Sequence, residues 1–177
     1  MIPILFNTEM VKAILEGRKT VTRRVIKPPR GADDIFGHLK EVRQPCVIGD
    51  ILYVRETFAQ VAEHIFWYRA TPPKGCENIL WKPSIHMPKE AARIFLRVTD
   101  VRVERLQDIT PKQAGNEGVS WETDNSGQFR RWQFHRLWDS TIKKNDLDRY
   151  GWEANPWVWV IEFERIELEV HDGTDNK

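Results

Sequence analysis

The sequence predicts an α+β domain, a small mixed β-barrel flanked by short helices and carrying an inserted segment, and three observations predict it. The stretches "ARIFLRVTDVRVERL" and "NPWVWVIEFERIELEV" alternate with the two-residue rhythm of strands. Two short helical patterns open on threonine caps at Thr8 and Thr110. The span 59–90 is broken by prolines that deny it long regular elements. A chain of 177 residues, 41% hydrophobic, fits one domain with a proper core. A single domain is therefore expected over residues 1–170, with the insertion around 59–90 and a disordered tail over 171–177.

Taken in order, Ile2 to Phe6 form a short apolar strand, and Thr8 N-caps a helix whose Met10, Val11, Ile14 and Leu15 share one face. Gly17 ends that helix as the left-handed residue just past its terminus. The β-branched residues Thr20, Val21, Thr22 and Val25 favour extended chain until "KPPRG" breaks it. After a polar loop containing "ADD", Gly49 and Asp50 turn the chain into a strand from Ile51 to Thr57. The insertion holds one strand, Ile65 to Ala70. In "ARIFLRVTDVRVERL" the alternation suits a strand bent near its middle, and bent strands close barrels. Thr110 then caps a short helix with Pro111 at its first position, and Gly118 lies just past the end, leaving Glu117 beside the terminus. "FRRWQFHRLWDSTI" reads as an amphipathic helix through Phe134, Leu137, Trp138 and Ile142. The last strand alternates Trp157, Trp159, Ile161 and Phe163 with Val158, Val160 and Glu162, and the two tryptophans are read as core residues.

Composition excludes several classes. With 27 basic against 26 acidic residues, attraction to a polyanion must come from a local patch and not from the field of the whole molecule. Cys46 and Cys76 form no C-x-x-C pair, and the five histidines show no ligand spacing, so neither a disulfide framework nor a metal is expected. No cofactor is expected either: no Gly-rich phosphate loop follows a strand, and no G-x-S-x-G, H-E-x-x-H or zinc-deaminase signature occurs. No apolar run is long enough to cross a bilayer, and the N-terminus has no signal-peptide pattern, so a cytoplasmic protein without membrane partners is expected.

"GRKTVTRR", residues 17–24, sets a lysine, two threonines and three arginines on a helix-to-strand junction. Its ordinary explanation is an exposed basic edge strand that resists aggregation or binds phosphate. The spacing of Gly17, Lys19, Thr22 and Arg24, however, resembles the G-x-K-x-x-E-x-R signature of the ASCH family (activating signal cointegrator homology), with threonine in place of glutamate. "IGDILYVRETF", "ITPKQAGNEGV" and "WVWVIEFERI" extend the likeness over most of the chain, in the manner of the longer ASCH proteins of phages and prophages. The resemblance implies a PUA-like β-barrel with a cleft beside the helix-to-strand junction, and a modified nucleoside or RNA as partner.

A subset of ASCH proteins are amidohydrolases that remove the acyl group from N4-acetylcytidine. They carry K-T-x-T at this position and a glutamate after a later short helix. By that resemblance Lys19, Thr22 and Glu117 are the catalytic set, and the insertion around 59–90 departs from the smallest enzymes. A threonine hydroxyl needs an adjacent base, and a lysine can serve only when its amine is partly neutral. Arg18, Arg23 and Arg24 and partial burial would push it that way, while Glu117 is read as binding the cytosine amino edge or shuttling a proton to the leaving nitrogen. In a regular strand positions 19 and 22 face opposite sides, so the helix exit must curl to bring them together. Arg23 and Arg24 are candidate RNA or substrate contacts. Arg55 and Glu56 form either an ion pair on a barrel face or, through Arg55, a phosphate or base contact. Trp81, with His86 and Met87, forms either an aromatic wall for a base or core of the insertion. The competing function is a non-enzymatic RNA-binding module using the same basic cleft, and a third is a ribonuclease.

Overall fold

Strand ladders and caps, not helix bulk, organise the chain. A computed structural model describes residues 1–29, 42–119 and 127–167, so the "ADD" loop and the tail 171–177 lie outside the described residues. The strands are β1 (Ile2–Leu5), β2 (Val21–Val25), β3 (Ile51–Arg55), β4 (Phe58–Ala62), β5 (Ile65–Tyr68), β6 (Phe95–Arg105) and β7 (Trp157–Ile166). The helices are α1 (Thr8–Leu15), α2 (Pro111–Asn116), α3 (Gly127–Thr141) and α4 (Leu147–Tyr150).

The expected α+β class holds. Five strands form one mixed sheet in the order β1-β3-β6-β7-β2, with β1 parallel to β3 and the remaining pairs antiparallel. Laid flat, five strands would hold their edges about 19 Å apart. Instead the Arg24 guanidinium of β2 donates to the Leu5 carbonyl of β1 at 2.8 Å. The sheet therefore curls until its edges meet, joined by a side chain and not by a ladder. The bend expected in the long strand is real: the β6–β7 register shifts between Val98 and Asp100.

The curl gives β7 two buried faces. Ile161 and Phe163 join Phe6, Val11, Leu52 and Leu96 inside the curl. Val158 and Val160 face the other way, under Ala114, Phe134 and Trp138 of α2 and α3. This corrects the reading of Trp157 and Trp159 as core, since both are half-buried while Val158 and Val160, which alternate with them, are fully buried. Helices on the outer face leave no solvated side for the small residues, and the wide indole of Trp159 packs at the edge of the core inside the curl.

Local chemistry sets the helix ends. The α1 cap is Asn7, one residue before the expected Thr8, and its side chain accepts from the Met10 N–H at 2.9 Å. Thr110 and Gln113 close a capping box on α2, with Pro111 in the first turn, as the sequence predicts.

The insertion is a hairpin followed by two single turns of 3-10 helix, not the one strand expected. β4 pairs with β5 through a turn containing His64 at φ 57°, a conformation that sequence signals seek at glycine. Glu56 latches this unit to the sheet. It is 1% exposed and takes both Arg93 Nε (2.9 Å) and Nη2 (3.0 Å), while the Arg93 guanidinium lies 3.9 Å over the Tyr68 ring. Glu56→Ala should lower unfolding stability by about 1.5–3 kcal/mol, the range for charge-assisted hydrogen bonds. Urea denaturation checks it, and an unmoved midpoint would show the latch to be idle.

Candidate active site

Gly17, at φ 74°, turns the chain out of α1 so sharply that Arg18 and Lys19 both donate their N–H groups back to the Ala13 carbonyl. Thr20 is then clamped from two sides: its N–H donates to the Asn116 carbonyl, and its carbonyl accepts from the Phe163 N–H. The strand starts only at Val21. Residues 18–20 thus supply the expected curl, and Lys19 bridges the backbone of Glu117 at the end of α2. Gly118 permits this approach. With φ 91°, a Cβ there would stand 2.8 Å from Ala13 Cβ and 3.1 Å from Lys19 Cβ.

The curl does not deliver Lys19 to Thr22. Its ammonium donates to the Val21 carbonyl (2.8 Å), the Glu117 carbonyl (3.0 Å) and Glu117 Oε2 (2.7 Å), which uses all its donors. Glu117 is buried, contrary to the ordinary expectation for a helix-end carboxylate. Its second oxygen, Oε1, accepts from Arg23 Nη1 at 3.1 Å. The reading in which Glu117 stays clear of the amine is therefore corrected: the two cations hold a carboxylate that the negative end of α2 would otherwise repel.

Burial pulls the Lys19 amine below its ordinary value. Contact with Glu117 opposes that pull, and Arg24 and Arg23 reinforce it. Arg24 is likewise lowered by its burial against the pull of Glu117. The flanking positive charge expected to depress Lys19 is thus present but secondary to desolvation. Arg23 also pairs with Glu104, which continues to Arg102, and among the described residues its buried Nε has no hydrogen-bond partner.

Thr22 occupies the alternate face of β2 with Arg24. That face looks onto Phe6, whose ring has the Lys19 ammonium 5.5 Å and the Arg24 guanidinium 5.3 Å from its centroid. Thr22 is 1% exposed, and among the described residues no hydrogen bond reaches its hydroxyl. Such a site favours valine on packing grounds alone.

Glu117 forms part of the floor of an open cleft of about 410 Å³ between α1, the end of α2 and α3, with Arg18, Met10, Trp132 and Arg136 among its walls. Sequence reasoning missed Trp132 and Arg136. Their i, i+4 spacing was visible inside "FRRWQFHR", but the reading followed the buried face of that helix. The remaining candidates lie elsewhere. Arg55 donates to the carbonyls of Met87 (2.9 Å) and Ile85 and, among the described residues, pairs with no carboxylate; Glu56 serves Arg93; half-buried Trp81 precedes Lys82, which exchanges backbone hydrogen bonds with Phe58. These bonds tie the insertion together, and none of the three residues bonds to Lys19 or Glu117.

Among the described residues no group of three or more His, Cys, Asp or Glu side chains is placed to hold a metal ion, and no helix is long and apolar enough to cross a membrane. Cys46 is buried and its thiol is pushed up by desolvation.

Fold and site together define an α+β protein with a buried lysine, glutamate and arginine centre at the foot of an open cleft. No known family model matches the chain, and no curated protein matches it. Among solved structures it is similar to a DUF984 family protein of Enterococcus faecalis V583, at 13% identity over 94% of this chain and 74% of that one, with a TM-score of 0.47. It is also similar to an ASCH domain from Lactobacillus crispatus JV V101, at 16% identity over 88% of this chain and 70% of that one, with a TM-score of 0.37.

Proposed function

We propose that the protein is an ASCH-type amidohydrolase that removes the acyl group from N4-acetylcytidine or a related N4-acylated cytosine nucleoside. The observation that carries this reading is the buried Lys19–Glu117 contact, with Glu117 opening onto a cleft and Thr22 buried three residues along the same stretch, its hydroxyl without a hydrogen bond among the described residues. A stability role accounts for the ion pair, but not for the hydroxyl.

The chemistry follows from the electrostatics. In the resting site Glu117 keeps the Lys19 proton in place. The amide N–H of an entering substrate offers Glu117 another donor and draws the carboxylate from the amine. Desolvation then dominates, and the Lys19 proton passes to the Glu117 carboxylate, which opens onto the cleft. Released from Glu117, the neutral amine turns to Thr22 and takes the proton of its hydroxyl as that oxygen attacks the acyl carbon. Arg24, on the same face of β2 as Thr22, faces the developing oxyanion with fixed positive charge. The C–N4 bond breaks as Lys19 returns the proton to N4, releasing cytidine and leaving an acyl-threonine ester. Water, deprotonated by the same amine, attacks the ester carbonyl, and the acyl C–Oγ bond breaks as Lys19 returns the proton to Thr22, releasing the carboxylic acid.

Incubating the purified protein with N4-acetylcytidine should yield cytidine by chromatography. A folded protein that turns over no N4-acylated cytosine would overturn the reading. Glu117→Gln should lower turnover by roughly 10²–10⁴-fold. It should also move the ascending limb of kcat/KM against pH to lower pH, because the carboxylate that stabilises the ammonium in the free enzyme is gone. A limb that stays in place or moves upward would contradict the assignment of Lys19 as base.

One observation favours a second reading. The ammonium of Lys19 has every donor satisfied, as in a purely structural ion pair, and this suits a module that binds RNA without turnover. Such a module would show affinity falling with a log–log salt slope of roughly 0.7 per phosphate contact, whereas deacylation of a free nucleoside should be nearly indifferent to salt. Tight RNA binding at moderate salt with no turnover would favour the module.

A further inference from the structure

Because a side chain and not a ladder closes the curled sheet, a cavity of about 400 Å³ lies at the seam between β1 and β2. Ile2, Ile4 and Leu5 of β1 line it with Leu52 of β3, Ile161 of β7 and Cys46 from the segment ahead of β3. Arg24 is the one charged residue of a lining that is otherwise apolar. A concave apolar site of this size, with a polar group to fix orientation, has the usual form of a small-molecule pocket. The proposed reaction uses the charge of Arg24 but not this cavity.

That charge has no local counter-ion. Among the described residues the Arg24 guanidinium gives one hydrogen bond, to the Leu5 carbonyl at 2.8 Å, and pairs with no carboxylate. A guanidinium has further N–H donors, set in a planar fork that matches a carboxylate. Arg24 and Pro45 also line a second hollow, of about 390 Å³, whose other charged residues are Lys27 and Arg43. Arg24 thus stands where an apolar chamber meets a basic one. A β-strand would fit the seam poorly: Arg24 crosses it, and Pro3 of β1 has no N–H to offer a ladder.

We infer that the seam binds a medium-chain aliphatic carboxylate, with its hydrocarbon tail in the apolar chamber and its carboxylate on the unused donors of Arg24. From Ile2 to Leu5, β1 runs about 10 Å, roughly the reach of an eight-carbon chain. Such a tail leaves water for the side chains of Ile4, Leu52 and Ile161, and the carboxylate supplies the counter-charge that Arg24 lacks. Lys27 and Arg43 add attraction beyond Arg24, and neither lining contains an acid to oppose it. Ile161 is also the ladder partner of Thr22. Where the proposed deacylation holds, and on that reading alone, the bound acid should therefore inhibit turnover.

Isothermal titration calorimetry with octanoate, kept below its micelle concentration, tests the inference without reference to turnover. Octanoate should bind saturably, and hexanoate roughly fifteenfold more weakly, about fourfold for each methylene. Octanol, which has the same tail and no charge, should bind about tenfold or more weaker than octanoate, and octylammonium weaker still. In methyl-labelled protein, octanoate should shift the NMR signals of Ile4, Leu5, Leu52 and Ile161. Arg24→Gln should weaken octanoate binding about tenfold or more and leave octanol binding unchanged; if that variant fails to fold, the ligand series on the wild-type protein decides. No saturable binding of octanoate, octanol bound as tightly as octanoate, or shifts centred instead on the exposed Leu80 and Ile85 of the insertion would overturn the inference even if N4-acetylcytidine is hydrolysed. Octanoate bound at the seam of a protein with no deacylase activity would uphold it and remove only the proposed reaction.

Discussion

Lys19→Met is expected to abolish deacylation and to destabilise the fold by about 3–5 kcal/mol, the usual consequence of removing one partner from a buried ion pair. The side chain is fully buried and donates three hydrogen bonds, to the Val21 carbonyl and to two oxygens of Glu117. Its loss leaves Glu117 buried with Arg23 alone and uncaps the last carbonyl of α2. The penalty arises from the stranded charge, so the double variant Lys19→Met/Glu117→Gln should recover part of the lost stability. Urea unfolding of the single and double variants measures this. A Lys19→Met protein as stable as wild type would show that the pair does not join α1, β2 and α2 as described. Lys19→Arg should not restore activity, because a guanidinium does not become neutral in the working range.

Much of the frame was legible because its signals are local. Thr110, Pro111 and Gln113 specify the start of α2 by their own hydrogen-bonding chemistry, and Gly17 marks the end of α1. The alternation in β6 and β7 gave both strands and the bend between Val98 and Asp100. The hairpin of the insertion was not legible, since His64 makes the left-handed turn without a glycine and Thr57 separates β3 from β4 without a breaker. The one-residue error at the α1 cap has the same origin: Asn7 and Thr8 are both good caps, and the choice between them is made by the strand that delivers the chain.

The site divides along the same line. Lys19 and Glu117 are 98 positions apart, and nothing in periodicity or composition brings them together; only the likeness of "GRKTVTRR" and "QAGNEGV" to a known pattern paired them. That likeness carried no information on burial. Glu117 was read as catalytic, binding the cytosine amino edge or shuttling a proton, and its direct contact with Lys19, which sets the state of the amine, was not anticipated. Arg55, Glu56 and Trp81 drew attention as polar or aromatic residues near strand ends, yet the bonds they make belong to the insertion, whose packing depends on contacts with residues 82–93. Trp132 and Arg136 were passed over because an amphipathic helix is read from its buried stripe, whereas these two lie on its wet side.

The central claim is that Thr22 is in place for its hydroxyl, and the most direct measurement is the rate of cytidine formation from N4-acetylcytidine by Thr22→Val beside its thermal unfolding midpoint. Valine keeps the shape of the side chain. Because no hydrogen bond reaches the hydroxyl among the described residues, its removal leaves no partner stranded, and stability should be unchanged or slightly raised. Turnover should fall by about 10³-fold or more, since base and nucleophile act as a unit and the site then lacks the atom that attacks. A folded Thr22→Val protein that forms cytidine at the wild-type rate would contradict the account.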